Sequence, residues 1–196
     1  MTKYEFSAIE NYMLSQMEDS LKDPVHDKYH VYRVFNAAMD IACHEDNVDM
    51  DVLIAACLLH DVGRKSQAEN PNICHALKGS EMAYDYLLAT GWAEEKARHV
   101  RACVSSHRYR DNNSPESIEA KILFDADKID VVGAIGIART FIYGGQVGEP
   151  IYIFDENGEI VVDGGGAEVS SFFQEYNFKH KNISRTFYTK RAKEIG

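Results

Sequence analysis

No CxxC pair occurs in this 196-residue chain: Cys43, Cys57, Cys74 and Cys103 lie far apart, which argues against a zinc ribbon or a thioredoxin-type centre. No apolar stretch approaches the length of a membrane span. The N-terminal MTKYEFSAIENYMLSQMEDS has no basic start followed by an uninterrupted apolar run, so a signal peptide is not expected. There is no GxxxxGK[ST] phosphate loop, and the glycine run at 164–166 precedes no lysine. Basic residues are also in short supply. With 21 Lys and Arg against 31 Asp and Glu, the formal charge is −10. A chain so charged is repelled by nucleic-acid phosphates, which disfavours a general DNA- or RNA-coating role but not one small anion in a locally basic pocket. Cys43, Cys57 and Cys103 sit among apolar residues of predicted helices and read as small core hydrophobes. The expected setting is cytoplasmic, with the thiols reduced.

What is present is ordinary for a globular chain, with 45% apolar and 27% charged residues. The length suits one domain, 1–196, with a core region at about 22–145 and closing elements at about 146–196. Helical periodicity dominates, and a mostly α single-domain helical bundle is expected. Helices are predicted at 4–20, ending before Lys22-Asp23-Pro24, and at about 28–43, where Val31, Val34, Phe35, Ala38 and Ile41 share one face. The segment 51–60 is apolar nearly all round and belongs in the middle of the bundle. Pro71 and the polar stretch Ser66–Asn72 mark a loop. Helices follow at 75–89, 93–106 and 116–131, with another reaching toward Gly144-Gly145. Asn157-Gly158 between two β-rich runs predicts a small hairpin at about 150–163, then a glycine joint and helices near 167–177 and 181–194.

Several polar residues stand where apolar ones belong. The most apolar helix ends in His60-Asp61, and burying a carboxylate is expensive unless it is paired or holds a cation. A core histidine bonded to a carbonyl would explain His60 alone but not its neighbour. Asp127 falls three residues after Phe124 and four after Leu123, on the buried face of its helix. Asp125 follows Lys121 by four and precedes Lys128 by three, a solvated position. Asp130 caps, pairs with a base or supports the site from outside. His30, one turn before Val34, sits at the edge of an apolar face. Two imidazoles and two carboxylates make a nitrogen–oxygen set that suits Mn²⁺, Fe²⁺, Co²⁺, Ni²⁺ or Zn²⁺ better than Ca²⁺.

These residues in this order, His30-Val-Tyr-Arg33-Val34, then His60-Asp61, then Asp127 within Asp125-Ala-Asp-Lys-Ile-Asp130, resemble the H…HD…D signature of HD-superfamily metal hydrolases. The run from Gly133 to Phe141, followed by Tyr143-Gly-Gly145, resembles the small single-domain bacterial branch, and the likeness covers roughly 20–196. The resemblance implies a compact helical bundle in which His30, His60, Asp61 and Asp127 bind a divalent metal ion. It also implies a phosphohydrolase acting on a nucleotide or other small phosphoester or phosphoanhydride through metal-activated water. Two alternatives stand beside it: a di-iron oxygenase on the same scaffold, and a non-catalytic sensor of nucleotide or metal.

Around this set, His75 and His107 extend the faces of their own helices. They hold a second metal, contact phosphate and shuttle protons, or merely cap helix ends. Asp61 is assigned to bridge metals or orient the water. His26 lies one turn before His30, either supporting it or exposed; His44, His99 and His180 read as surface or structural. Arg33, Arg64, Lys65, Lys78, Arg108, Arg110 and Lys128 lie within a few residues of these positions and suggest an anionic substrate. Arg33, Arg64, Lys78 and Lys128 are the candidate substrate contacts, and Lys128 is also a candidate catalytic group. The expected partner is a small phosphorylated substrate, with no nucleic acid and no membrane. A homodimer is left open, as is whether the hairpin covers the pocket, joins an interface or decorates the surface.

Overall fold

The computed structural model describes residues 1–17, 25–108, 113–163 and 171–196. Nearly all regular structure is helical: α1 (Lys3–Met17), α2 (Lys28–Ala42), α3 (Met50–Leu59), α4 (Arg64–Glu69), α5 (His75–Ala89), α6 (Glu94–Ser106), α7 (Ile118–Ile129) and α8 (Gly133–Val147). A broken helical stretch follows, made of α9 (Phe172–Glu175), a π-helical turn (Tyr176–His180), α10 (Lys181–Ile183) and a 3₁₀ turn (Ser184–Thr186); α11 (Lys190–Ile195) comes last. The chain forms two compact units, Met1–Asp127 and Lys128–Gly196. None of the described helices is long and apolar enough to cross a membrane.

In the first unit α3 is the central helix. Seven of its residues, Val52, Leu53 and Ala55 through Leu59, are buried, and it packs against α1, α2, α5 and α6. Its start is fixed by Asp49, whose carboxylate accepts from the amides of Asp51 and Val52. The stripe expected on α2 faces inward at Val31, Val34, Ala38 and Ile41, all fully buried, while Phe35 stays half-buried against Phe6 in an edge-to-face contact. Asp27 caps α2 by accepting from the His30 amide at 2.9 Å. That cap sets where the helix begins and so which way His30 points.

Several expectations are corrected. Asp125 is fully buried rather than solvated, because α7 is enclosed on nearly every side: Glu119, Ala120 and every residue from Ile122 to Asp127 are buried. Cys43 is exposed, since α2 ends at Ala42 and the residue faces outward past its end, while Cys57 and Cys103 lie in the core as expected. Part of the Ser66–Asn72 loop belongs to α4. None of the residues of α4 is buried, so it carries no apolar stripe for a periodicity argument to find.

In the second unit, α8 ends at Gly148, whose φ of +74° is the left-handed conformation that closes helices and that glycine adopts without strain. The expected hairpin does not form strands. Among the described residues there is a single antiparallel bridge, Phe154 to Ile160, around a turn in which Asp155 Oδ1 accepts from the amides of Asn157 and Glu159. Phe154 and Ile160 remain 61% and 40% exposed. With no apolar face to bury, a two-stranded pairing gains too little to propagate. Asp130 pairs with Arg139 at 2.8 Å, both side chains buried. The predicted closing helices appear as the broken stretch 172–186 and the short α11. The end of the first predicted helix, Lys22-Asp23-Pro24, the glycine joint and residues 167–170 lie outside the described residues.

Candidate metal centre

Six side chains from five segments of the first unit converge in its interior: His30 from α2, His60 and Asp61 from the end of α3, His75 from the start of α5, His107 just past α6 and Asp127 from α7. All six are buried, Asp127 being the most accessible at 8%. The turn after α3 is brought against α5 by a glycine pair. A Cβ on Gly63 would lie 2.2 Å from the His75 carbonyl oxygen and 2.6 Å from the Gly79 amide nitrogen. Only a residue without a side chain permits that approach, which carries Asp61 to His75.

The imidazoles are oriented by their rear nitrogens. His60 Nδ1 lies 2.8 Å from the Cys57 carbonyl oxygen, His107 Nδ1 lies 2.6 Å from that of Val104, and His75 Nδ1 contacts Gln67 Oε1. These oxygens only accept, so each Nδ1 carries the proton and each Nε2 presents a bare lone pair to the centre. Burial keeps the His60 and His75 rings neutral. It pushes His60 down to about 4, against the opposing pull of Asp61. His75 falls to about 2, chiefly through burial, with the charges of Arg64 and Arg108 adding to it and Asp61 opposing. For Asp61 burial acts upward, but the Arg64 guanidinium on Oδ1 leads the opposing influences and holds the carboxyl below the usual range.

Two groups result. His30 Nε2 lies 3.4 Å from His60 Nε2 and 3.3 Å from Asp127 Oδ1. His75 Nε2 lies 3.3 Å from His107 Nε2. Asp61 stands between them with one oxygen toward each. Its Oδ2 is 3.6 Å from both His30 and His60, while its Oδ1 is 3.5 Å from His75 and 3.6 Å from His107. Oδ1 also accepts from Arg64 Nε at 2.9 Å. Oδ2 is, among the described residues, the buried side-chain oxygen left with no hydrogen-bond partner. A buried carboxylate oxygen facing bare imidazole lone pairs is repelled by them unless a cation sits among them. Donors bound at about 2.1 Å to one ion stand about 3.0 to 3.4 Å apart, so the donor sets and their spacing fit divalent ions.

The surrounding residues separate by position. Arg64 is anchored on Asp61 with its side chain 29% exposed. Arg33 lies one turn after His30 and is half-buried, Lys65 is exposed, and Lys78 pairs with Glu81 at 3.5 Å on the surface of α5. Lys128 directly follows Asp127 and is half-buried, the first residue of the second unit. Arg110 lies outside the described residues. His26 meets His30 edge to face with ring centroids 6.0 Å apart. His44 is exposed, His99 pairs with Glu119 at 3.0 Å and His180 is half-buried. Gln67 and Gly63 were not singled out in the sequence. Gln67 acts eight residues from His75, a separation that carries no periodic signal, whereas a glycine two residues after His60-Asp61 was a readable mark of close packing.

The sequence profile of the HD domain matches residues 28–132. YpgQ of Bacillus subtilis (strain 168), itself described as uncharacterised, is 34% identical over 131 residues, spanning 65% of this chain and 61% of that protein, less than two thirds of its length. A predicted HD superfamily hydrolase from an uncultured Thermotogales bacterium is similar in structure, with a TM-score of 0.66 and 28% identity, covering 96% of this chain and 81% of that one. An HD-superfamily hydrolase from Bacillus thuringiensis gives 0.68 and 26%, covering 98% and 87%. The structure of B. subtilis YpgQ in complex with ADP gives 0.71 at 24% identity, covering 97% and 87%, a likeness of fold. With a matched profile spanning more than half of its residues, this chain belongs to the HD domain family.

Proposed function

We propose that this protein is a metal-dependent phosphohydrolase acting on a nucleotide or another small phosphoester or phosphoanhydride. The observation that carries the reading is Asp61, buried with an unpartnered Oδ2 and set between two groups of metal-ligating side chains. His30, His60, Asp127 and Asp61 Oδ2 would hold one divalent ion; His75, His107 and Asp61 Oδ1 would hold a second. When bound, such ions supply water of lowered pKa and neutralise charge on the phosphoryl oxygens. The chain's own groups do the rest. The three Nδ1 contacts fix the imidazole tautomers and keep Nε2 available. Arg64, partly exposed beside Asp61, offers a guanidinium fork to a phosphoryl oxygen. Arg33, Lys78 and Lys128 are the further candidate contacts, with Lys128 also a candidate proton donor. The ADP bound to the B. subtilis protein supports a nucleotide as ligand.

The test is phosphate and pyrophosphate release from a panel of nucleotides and small phosphoesters. Metal-stripped protein is supplied separately with Mn²⁺, Mg²⁺, Ni²⁺, Zn²⁺ or Fe²⁺, and Asp127→Ala is the control. Metal-dependent release that is lost in the variant is the expected result. Release that persists in Asp127→Ala, or no release with metal bound, rejects the reading. The convergence of His75 and His107 on Asp61 also fits a di-iron oxygenase on this scaffold. Oxygen uptake by the Fe²⁺-loaded protein, with no phosphate released, would select that alternative.

A further inference from the structure

A second basic feature lies on the first unit, outside the six ligating side chains. A cavity of about 420 Å³ is lined by Cys74, Leu77 and Ser80 at the start of α5, by Arg101, Ser105 and Arg108 along α6 and just past it, and by Asn113. Arg101, Ser105 and Arg108 recur at i, i+4 and i+7, the spacing of one helix face. Both guanidinium groups therefore serve the same cavity.

Neither arginine meets a carboxylate among the described residues. Arg101 lies over the Tyr84 ring at 5.5 Å, and Arg108 Nη1 donates to Cys74 Sγ at 3.5 Å. Among the described residues, no acidic one lines the space. In a chain with 31 acidic residues to 21 basic ones, carboxylates are in surplus, yet none of the described ones is placed here. Two like charges sharing a cavity repel each other, and an anion between them reverses the sign of that interaction. The hydroxyls do not compete for this role: Ser80 Oγ donates to the Leu77 carbonyl and Ser105 Oγ to that of Ala102. The fork donors of the two arginines are left to do the recognising, and such forks match phosphoryl oxygens in pairs.

We propose that this cavity binds the oxyanion tail of a phosphorylated ligand, a diphosphate or longer, through Arg101 and Arg108. Its volume exceeds what one orthophosphate fills. Its position also matters: Cys74 and Arg108 directly adjoin His75 and His107 in the chain. A tail held here lies against the helix ends that carry the second ligand group. The choice of phosphate as ligand class rests on the proposed hydrolase reading; the binding itself needs neither metal nor turnover.

The experiment is calorimetric titration of the metal-free full chain with inorganic pyrophosphate at low salt, with orthophosphate and citrate as comparison anions. The variants are Arg101→Gln/Arg108→Gln and a charge-matched control, Lys3→Gln/Lys193→Gln, at exposed positions. Wild type should bind pyrophosphate more tightly than either comparison anion. The arginine variant should lose roughly tenfold per arginine, as charge-assisted contacts go, while the lysine control stays within about twofold. Arg101→Lys/Arg108→Lys, which keeps the charge and removes the fork, should fall between and serves if the glutamine variant fails to fold. No pyrophosphate binding by wild type, equal losses in the arginine and lysine variants, or preference for citrate would overturn the proposal. Pyrophosphate binding without turnover in the nucleotide panel would sink the hydrolase reading alone; turnover without arginine-dependent binding would sink this one alone.

Discussion

Replacing Asp61 by asparagine should stabilise the metal-free protein and cripple the metal-bound one. In the metal-free protein Asp61 Oδ2 is buried without a hydrogen bond, 3.6 Å from the Nε2 atoms of His30 and His60. Asparagine is nearly the same shape. Its carbonyl oxygen keeps the Arg64 contact, now 2.9 Å, and its amide nitrogen takes the place of Oδ2 with a proton to donate to an imidazole lone pair. An unsatisfied buried acceptor costs about 1–3 kcal/mol and a new neutral hydrogen bond contributes about 0.5–1.5. Weakening the charge-assisted contact from Arg64 to the buried Asp61 Oδ1 into a neutral one gives back about 1–2. The net gain is about 1–2 kcal/mol, or roughly 2–8 °C in Tm for a chain of this length. With metal the order reverses. Ion at 100 times its Kd stabilises wild type by about 2.7 kcal/mol per site. If the variant binds a hundredfold more weakly, the same concentration returns only about 0.4 kcal/mol. Thermal unfolding of metal-stripped wild type and Asp61→Asn, with and without Mn²⁺, should therefore give melting curves that cross. A variant less stable than wild type without metal, or stabilised equally by Mn²⁺, would show that Asp61 does not face an empty cation site.

Other perturbations probe the scaffold. Gly63→Ala places a Cβ 2.2 Å from the His75 carbonyl oxygen; it should cost about 1–3 kcal/mol in urea unfolding and reduce metal bound per chain, because His75 and Asp61 are forced apart. Asp27→Ala removes the cap that accepts from the His30 amide, and should cost about 1 kcal/mol while weakening the His30 group more than the His75 group in metal titrations of single-histidine variants. Acid should unfold the metal-free protein in a defined window. His60 falls from 6.5 to about 4 on folding, so the unfolded chain binds more protons between those values. Stability is fully present above 6.5 and is lost as pH falls toward 4, by about 3 kcal/mol from this residue. His75 acts in the same direction and extends lower. Urea midpoints measured from pH 7.5 to 4 check the slope, which His60→Gln should flatten.

Some of this was written locally in the chain. A helix announces itself through the spacing of its apolar residues, so α2, α3, α5, α6 and α7 were legible, and a charged group on a buried face stands out against that same spacing. His60-Asp61 and Asp127 were found in this way, and His30 through its company. A segment without an apolar stripe gives no such signal, which is why α4 passed for a loop. A turn motif promises only that two segments meet; whether they form a ladder depends on a surface to bury, and residues 150–163 have none. Asp125 was misread because one helix's spacing shows where its own charges lie, not how many sides its neighbours cover. The division of Asp61 between two histidine groups, the closeness of Gly63 to Gly79 and the meeting of α5 and α6 around Arg101 and Arg108 were decided by tertiary structure alone. Those contacts join segments far apart in sequence, and the geometry that fixes them belongs to the packing of whole helices rather than to any stretch of residues.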